Sequence, residues 1–420
     1  MTLTLGVDIG TSGVRTAVLD GDRAVLSMAR AEHPPQTGPG IDANDWWRAV
    51  EHCLTNQMQA LRALGHDPGQ ITAISVDGTS GSMVVTDANL APTSPGLMYN
   101  SKGFRAEAAR IDAHAPDTHI TKGSNSALAR ALRLVATSRT KPAHLLHQAD
   151  FIAAKLAGRV GGSDFNNALK TGFDPETETW PDWIGEVIPP EILPQVHAPG
   201  TAVQPMSDAI ARQFGMSTAA MVHAGTTDSI AAFLAAAPLD EGVAVTSLGS
   251  TLAIKLLSSI RVDDPAVGLY SHRLGDLWLA GGASNTGGAV LKSFFTAEDL
   301  TKLSQRIDPD HPQNLGYYPL LTQGERFPIN DPDLHPRMTP RPDDDAAFLQ
   351  ALFEGMAMIE RDCYAEIARK GGPHPSKIIT AGGGAQNSAW ARIRARTLGI
   401  KPVAADQTEA AIGVAKLAAG

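Results

Sequence analysis

Asp8 closes a short apolar run, residues 3–8, and is followed by Ile9-Gly10-Thr11-Ser12-Gly13-Val14. Glycines in such a turn let the backbone approach a phosphate, and the Thr11 and Ser12 hydroxyls with the turn amides can donate hydrogen bonds to it. Asp8 repels an anion, but it can hold a Mg²⁺ through water, since that ion keeps several waters and takes only one or two carboxylates. Taken alone, the segment is equally an ordinary hairpin turn, because Gly, Ser and Asp are what turns favour. The same grammar returns at Ser247-Leu248-Gly249-Ser250-Thr251. A third turn, Gly382-Gly383-Gly384-Ala385 with Gln386 and Asn387 beyond it, stands between a strand pattern and a helix start, a nucleotide-shaped element. Three such loops in one chain point to a nucleotide held between two similar domains. No G-x-x-x-x-G-K-[ST] occurs and no strand-linked G-x-G-x-x-G opens a βαβ unit, so the commoner nucleotide folds are disfavoured.

The elements that must position these loops follow from periodicity. Residues 3–8 and 14–19 read as two strands of a hairpin. Cap-type residues Asp42 to Asn44 precede Trp46, Trp47, Val50 and Leu54 on one helical face. Residues 71–76 read as a buried strand ending at Asp77-Gly78-Thr79-Ser80, and Met83-Val84-Val85 as the next strand of an α/β alternation. From about 121 to 212 the chain is helical and rich in turns. The strand 221–225 then runs through Thr226-Thr227-Asp228-Ser229 into the apolar helix 230–236. A domain boundary is expected here, dividing the chain into 1–225 and 226–420.

The second half repeats the grammar of the first, with strand 243–245, the Ser247 turn and strand 252–256, which suggests a duplicated architecture. Near the end Phe348, Leu352, Met356, Ile359, Cys363 and Ile367 form a helical stripe that reads as core. Strand 377–381 follows, with a helix from Trp390 to Leu398 beyond the glycine turn.

Bulk properties narrow the function classes. A chain of 420 residues with 43% hydrophobic and 19% charged residues can bury large cores. A net charge of −9, with acids and bases interspersed and a pI near 5.8, argues against nucleic acid or an anionic membrane as partner. The start, Met1 to Asp8, lacks a secretion signal and no apolar run approaches a membrane span, so a cytoplasmic location is expected. Cys53 and Cys363 are far apart and outside any C-x-x-C pair, which leaves buried thiols as the simple reading.

From Asp8 to Lys416 the chain resembles the FGGY carbohydrate kinases of the actin-like ATPase superfamily. Asp8-Ile9-Gly10-Thr11-Ser12 is similar to the family's first phosphate motif, and Ser247-Leu248-Gly249-Ser250-Thr251 to its second. Gly382-Gly383-Gly384-Ala385 with Asn387 is similar to the adenosine motif, and Glu409-Ala410-Ala411-Ile412-Gly413-Val414-Ala415 to the closing helix. The resemblance implies an α/β protein of two ribonuclease-H-like domains, with ATP, Mg²⁺ and a sugar in the cleft between them. It implies that Gly10, Thr11, Ser12, Gly249, Ser250, Thr251, Gly382, Gly383, Gly384, Ala385 and Asn387 bind ATP.

Ala224-Gly225-Thr226-Thr227-Asp228-Ser229 matches the family's general-base motif, just inside the second domain. Phosphoryl transfer is mostly positioning plus charge neutralisation, with a carboxylate accepting the proton of the attacking hydroxyl. The resemblance therefore makes Asp228 the catalytic residue, and Asp8 and Asp228 the groups that hold Mg²⁺; taken alone, Asp228 would be a helix N-cap.

Asp77-Gly78-Thr79-Ser80 departs from the Gly-Gln-Met-His run of xylulose-using members and looks more like the Asp-Ala-Thr-Cys-Ser segment of ribulokinases. Asp77 and Ser80 are then expected, with Asp8 and Asp228, at the sugar. Within the family the chain is most similar to short D-ribulokinase-like (xylulose kinase-like) sugar kinases. The marks are Asp164-Phe165-Asn166-Asn167-Ala168-Leu169-Lys170, 270–275, 281–288 and 324–328. D-ribulose is the implied acceptor, giving D-ribulose 5-phosphate. D-xylulose or a polyol, and a non-catalytic ATP- and sugar-binding regulator, are the alternatives. One departure is Arg130 and Arg133 in the segment 123–133, where a Lys-aliphatic-aliphatic-Trp signature is expected. His223 and His272 have no partner at metal-ligand or triad spacing and read as structural. A monomer or a homodimer is expected.

Overall fold

The computed structural model describes residues 2–35 and 40–420; Met1, the first residue of the terminal run read above, lies outside them. The chain divides into two compact units, Met1–Ala235 with Glu409–Gly420, and Ala236–Thr408.

The first unit is built on a six-stranded sheet in the order Val25–Glu32, Gly13–Leu19, Leu3–Ile9, Ile71–Gly78, Met221–Thr227, Ala202–Pro205. Leu3–Ile9 and Gly13–Leu19 form the expected antiparallel hairpin. Ile71–Gly78 then lies parallel to Leu3–Ile9, and Met221–Thr227 parallel to Ile71–Gly78. Leu3, Leu5, Val7 and Ile9 alternate along their strand and sink into one core. The helix Ala43–Ala63 covers that core with Trp46, Val50, Cys53, Leu54 and Met58, and Asp42 caps its start by accepting the Asn44 N–H. Both cysteine thiols are buried and free, and burial pushes Cys53 up to about 11.

The opposite face of the strand carries Thr4, Gly6 and Asp8, and here helices Asp228–Ala236 and Ala410–Ala419 pack. A Cβ on Gly6 would stand 1.9 Å from the Ala411 carbonyl oxygen, and one on Gly413 1.7 Å from that of Ala231. The Lys416 ammonium donates to the Leu234 and Ala235 carbonyls at 3.4 and 3.1 Å, closing the end of the neighbouring helix. This corrects the expected boundary between residues 225 and 226. Both helices, Asp228 included, belong to the first unit, because their small apolar faces are buried with Ala17 and Leu19 of its sheet. Local periodicity shows that a helix is amphipathic, not which sheet it covers.

Met83–Thr86 also differs from expectation. It pairs antiparallel with His144–His147 in a separate two-stranded ribbon over a small core of Met83, Val85, Leu128, Leu132 and Leu145.

The second unit repeats the plan in the order Tyr270–Leu274, Leu277–Ser284, Leu252–Ser258, Val243–Leu248, Lys377–Ala381, Val403–Ala404. Its opening hairpin is Val243–Leu248 with Leu252–Ser258, and its first strand pairs in parallel with Lys377–Ala381. The helix Asp345–Arg369 buries the whole expected stripe from Phe348 to Ile367. Among the described residues no helix is long and apolar enough to cross a membrane.

Candidate active site

In the first unit the parallel register sets Asp8 beside Asp77 and Ile9 beside Gly78. On the other side of the same strand Thr226 pairs with Asp77 and Thr227 with Gly78. Reaching that register takes a bulge between His223 and Thr226, and Gly225 sits in it with no room for a Cβ, which would lie 1.8 Å from the Val76 carbonyl oxygen. Three adjacent parallel strands thus end together on Asp8, Asp77 and the 226–228 run, the edge at which open α/β sheets place their ligands.

This edge is rich in carboxyl groups that lack solvent. Asp77 is fully buried and Asp8 5% exposed. Burial raises the Asp77 carboxyl well above the usual carboxylate range, and the charges of Asp8, Asp228 and Asp164 add to the effect. Asp8 is raised as well, first by burial, while the adjacent Asp77 side chain and the Arg15 guanidinium at 3.4 Å act in the opposite sense. Neither Asp77 oxygen has a hydrogen-bond partner among the described residues. Asp164 caps a short helix by accepting the N–H groups of Asn166 and Asn167 at 2.8 and 3.0 Å. Burial, with Asp150 nearby, raises its carboxyl to about 6. Asn166 donates to the Thr226 hydroxyl at 3.0 Å. Asp228 starts the helix Asp228–Ala236, half-buried, and its carboxylate accepts the Ser229 N–H at 2.6 Å.

Mutually repelling carboxyls with open lone pairs suit a divalent cation. Among the described residues no cluster of three or more His, Cys, Asp or Glu forms a protein-only metal cage. That donor set fits Mg²⁺, which takes one or two carboxylates and fills its remaining positions with water.

Thr11 and Ser12 are exposed in the first hairpin loop, which the Gly10 N–H closes onto the Gly13 carbonyl at 2.9 Å. Gly13 is there for packing instead, since a Cβ would lie 2.3 Å from the Ala31 carbonyl oxygen. In the turn after Asp77, Thr79 and Ser82 carry the hydrogen bonds, with their hydroxyls 2.6 Å apart, while Ser80 is half-buried.

In the second unit Gly249, Ser250 and Thr251 are exposed at the hairpin tip. The start of the helix Gly288–Phe294 is seated directly behind it: the Gly288 and Ala289 N–H groups donate to the Gly249 and Ser250 carbonyls at 2.9 and 3.0 Å. The third loop leans on the second. Gly382, at φ +85°, and Gly384 would place a Cβ 2.7 and 2.8 Å from atoms of Leu248. A cavity of about 630 Å³ results, and Gly249, Ser250, Gly383, Gly384 and Asn387 line it, whereas Thr251, Gly382 and Ala385 stand outside the lining. Phe353 and Trp390, stacked at 4.8 Å and 7°, form part of its wall. Asn387 is held there by a bond from its side chain to Ser304 at 2.7 Å, while its Oδ1 caps Trp390. The volume and the small-residue floor suit a nucleoside.

Sequence reasoning passed over several residues. Asp164 and Asn166 were quoted only as family marks; Lys292, Ser304, Phe353 and Trp390 of the cavity carried no signal beyond helix periodicity. Arg130 proves to be a buried clip, donating to the carbonyls of Gly81, Asn125 and Ser101 at 3.0, 2.7 and 3.3 Å. Burial lowers its guanidinium to about 10. Arg133 instead pairs with Glu107. His223 bonds the Gly200 carbonyl at 2.8 Å, and His272 packs its ring 5.1 Å from Tyr270, both structural settings.

Two sheets of this order, each opened by the same hairpin and each crossing in parallel to a neighbouring strand that ends in a glycine-containing turn, have the actin-like ATPase fold. The structure of a xyloylose kinase from Brucella ovis superposes with a TM-score of 0.87 at 20% identity, covering 99% of this chain and 90% of that one. Plasmodium falciparum glycerol kinase with ADP gives 0.85 at 13% identity over 99% and 89%. The descriptions of the N- and C-terminal domains of the FGGY family of carbohydrate kinases match residues 3–129 and 244–420. A xylulose kinase of Streptomyces coelicolor is 27% identical over 442 aligned positions, covering all of this chain and 88% of the relative. The chain belongs to the FGGY family of carbohydrate kinases. It is a sugar kinase with ATP as its phosphate donor.

Proposed function

We propose that this kinase phosphorylates the terminal hydroxyl of an open-chain ketopentose, D-ribulose in first place, giving D-ribulose 5-phosphate. The observation that carries the reading is the strand-end edge where Asp8 and Asp77 are buried side by side, with half-buried Asp228 opening the neighbouring helix and with both Asp77 oxygens left for hydroxyl groups to satisfy. Asp228 accepts the proton of the attacking hydroxyl, which must come within about 2.6–3.2 Å of it. Asp77 and Ser80 hold sugar hydroxyls, and Asp8 and Asp228 hold Mg²⁺, which supplies charge neutralisation at the phosphates. Thr11, Ser12, Ser250 and Thr251 offer hydroxyls and amides to the phosphates, and the cavity at Gly383 and Asn387 takes the adenosine. Activity is expected in the cytoplasm, without nucleic-acid or membrane partners.

D-ribulose is favoured by Asp77-Gly78-Thr79-Ser80, because a site that pairs a hydroxyl of one configuration leaves a buried group unpaired when the epimer binds. A second reading, D-xylulose, is favoured by the names of the curated relatives. Coupled measurement of ADP release with D-ribulose, D-xylulose, L-ribulose, ribitol and glycerol separates them. The highest kcat/KM is expected for D-ribulose. A higher value for D-xylulose moves the assignment to the second reading, and one for glycerol or ribitol removes the ketopentose.

A further inference from the structure

Gln148 opens the helix Gln148–Ala157 and is completely buried. Its Oε1 accepts two hydrogen bonds from Thr79, from the backbone N–H at 3.0 Å and from the hydroxyl at 2.7 Å. A backbone N–H can only donate, so the oxygen end of the amide is identified by its partner and the Nε2 end must face elsewhere. That NH₂ group has no acceptor among the described residues. A buried amide left unbonded is costly, and one held so firmly by its other end cannot turn to find a partner.

Its surroundings show what such a partner would be. Gln148 lies against Gly78, with Oε1 3.2 Å from where a Cβ of that glycine would stand. Gly78 follows Asp77, whose two oxygens have no hydrogen-bond partner among the described residues, and pairs across the sheet with Thr227, whose buried hydroxyl is also unpartnered. Three buried side chains with open hydrogen-bonding capacity therefore border the one position in this row that has no side chain. The Asp77 oxygens accept and the Thr227 hydroxyl can donate or accept, whereas the Gln148 NH₂ only donates.

We propose that Gln148 is a specificity-determining residue of the sugar site, whose Nε2 donates to one oxygen of the acceptor sugar, with Thr79 as the residue that fixes its orientation. The class of ligand rests on the ketopentose reading above; the contact itself does not depend on which epimer is preferred.

Gln148→Met keeps the side-chain volume and removes the donor. Its kcat/KM for the best acceptor should fall about 10- to 100-fold, the scale of one hydrogen bond to a buried polar group, while KM for ATP stays within about twofold. The decisive measurement is a cycle with deoxy sugars, each lacking one hydroxyl or the carbonyl oxygen, on wild type and variant. For one analogue, wild type should lose about as much as Gln148→Met loses on the intact sugar, and the variant should lose little further. If every analogue costs the same factor in both enzymes, Gln148 touches no sugar oxygen and the proposal fails. A purely structural role predicts that outcome, together with parallel losses of thermal midpoint in Gln148→Met and Thr79→Val. Should Gln148→Met not fold, Gln148→Glu keeps the oxygen that Thr79 holds and serves in the same cycle. If the ketopentoses are not substrates, the ketopentose reading falls, and the cycle is run on whichever acceptor of the panel is turned over.

Discussion

The strands that lead into the Ser247 and Gly382 loops of the second unit are tied to its helices by a buried ion pair, Arg394 with Glu360, and removing it should be among the costliest single changes in the chain. Arg394 is bidentate to Glu360 at 2.6 and 2.7 Å and also donates to the Thr380 hydroxyl at 2.7 Å. Glu360 in turn accepts from the Thr246 hydroxyl at 2.6 Å. Thr246 and Thr380 face each other in register, just before the Ser247 and Gly382 loops. The two charged side chains are 2% and 0% exposed, so Arg394→Met strands a carboxylate with only Thr246 to bond it. Breaking a buried pair in this way costs about 3–5 kcal/mol, which lowers the unfolding midpoint of a unit this size by about 10 °C. Calorimetry and urea unfolding read the loss directly, and ADP titration below the midpoint should show weaker binding, because the loops lose their common anchor. The double variant Arg394→Met with Glu360→Leu should recover much of the stability, since no uncompensated charge remains. A single-variant cost below about 1 kcal/mol, or a double variant as unstable as the sum of the singles, would refute the reasoning.

Asp228→Asn should keep the thermal midpoint and ADP binding while kcat falls by about 10²-fold or more, and near wild-type turnover in a folded variant would remove Asp228 as the base. Asp164 is raised to about 6, so its folded form binds more protons than the unfolded one above pH 4. The stability it contributes is complete below its ordinary value and is lost as pH rises through 6. Asp164→Asn keeps the capping oxygen, and its advantage in urea unfolding should grow from pH 4 to 7; a constant difference counts against the assignment. Gly413→Ala forces a Cβ against the Ala231 carbonyl and should destabilise the first unit by about 1–3 kcal/mol, whereas Gly21→Ala, with nothing within 4 Å, should be near neutral by the same unfolding assay.

What could be read from the chain beforehand was local. The glycine loops announced themselves because turn chemistry and hairpin spacing lie within a dozen residues, and the helix from Phe348 to Ile367 because its stripe has the helical period. The neighbours of Asp8 were out of reach in this way. Asp77 comes beside it only through a parallel register across a long crossover, and Thr226 through a further one. The terminal helix was recognisable as a helix, but its return to the first sheet is decided by Gly6 and Gly413, where backbones approach too closely for any other residue. Gln148 and Arg130 were opaque for another reason: polar residues at helix starts are usually solvated, and nothing local marks one as buried.

The two sheets share one topology and differ in which side chains stand at the same strand ends. In the first sheet the opening strand and its parallel neighbour end on Asp8 and Asp77, in the second on Ser247 and Ala381. Buried acids repel phosphate and need donors, so under the proposed reading that edge is the one for a polyhydroxyl compound and a cation. Small, uncharged residues leave a wide floor beside the other edge, which under the same reading is the place for a nucleotide. The frame occurs twice, and the two copies differ in the residues at these strand ends.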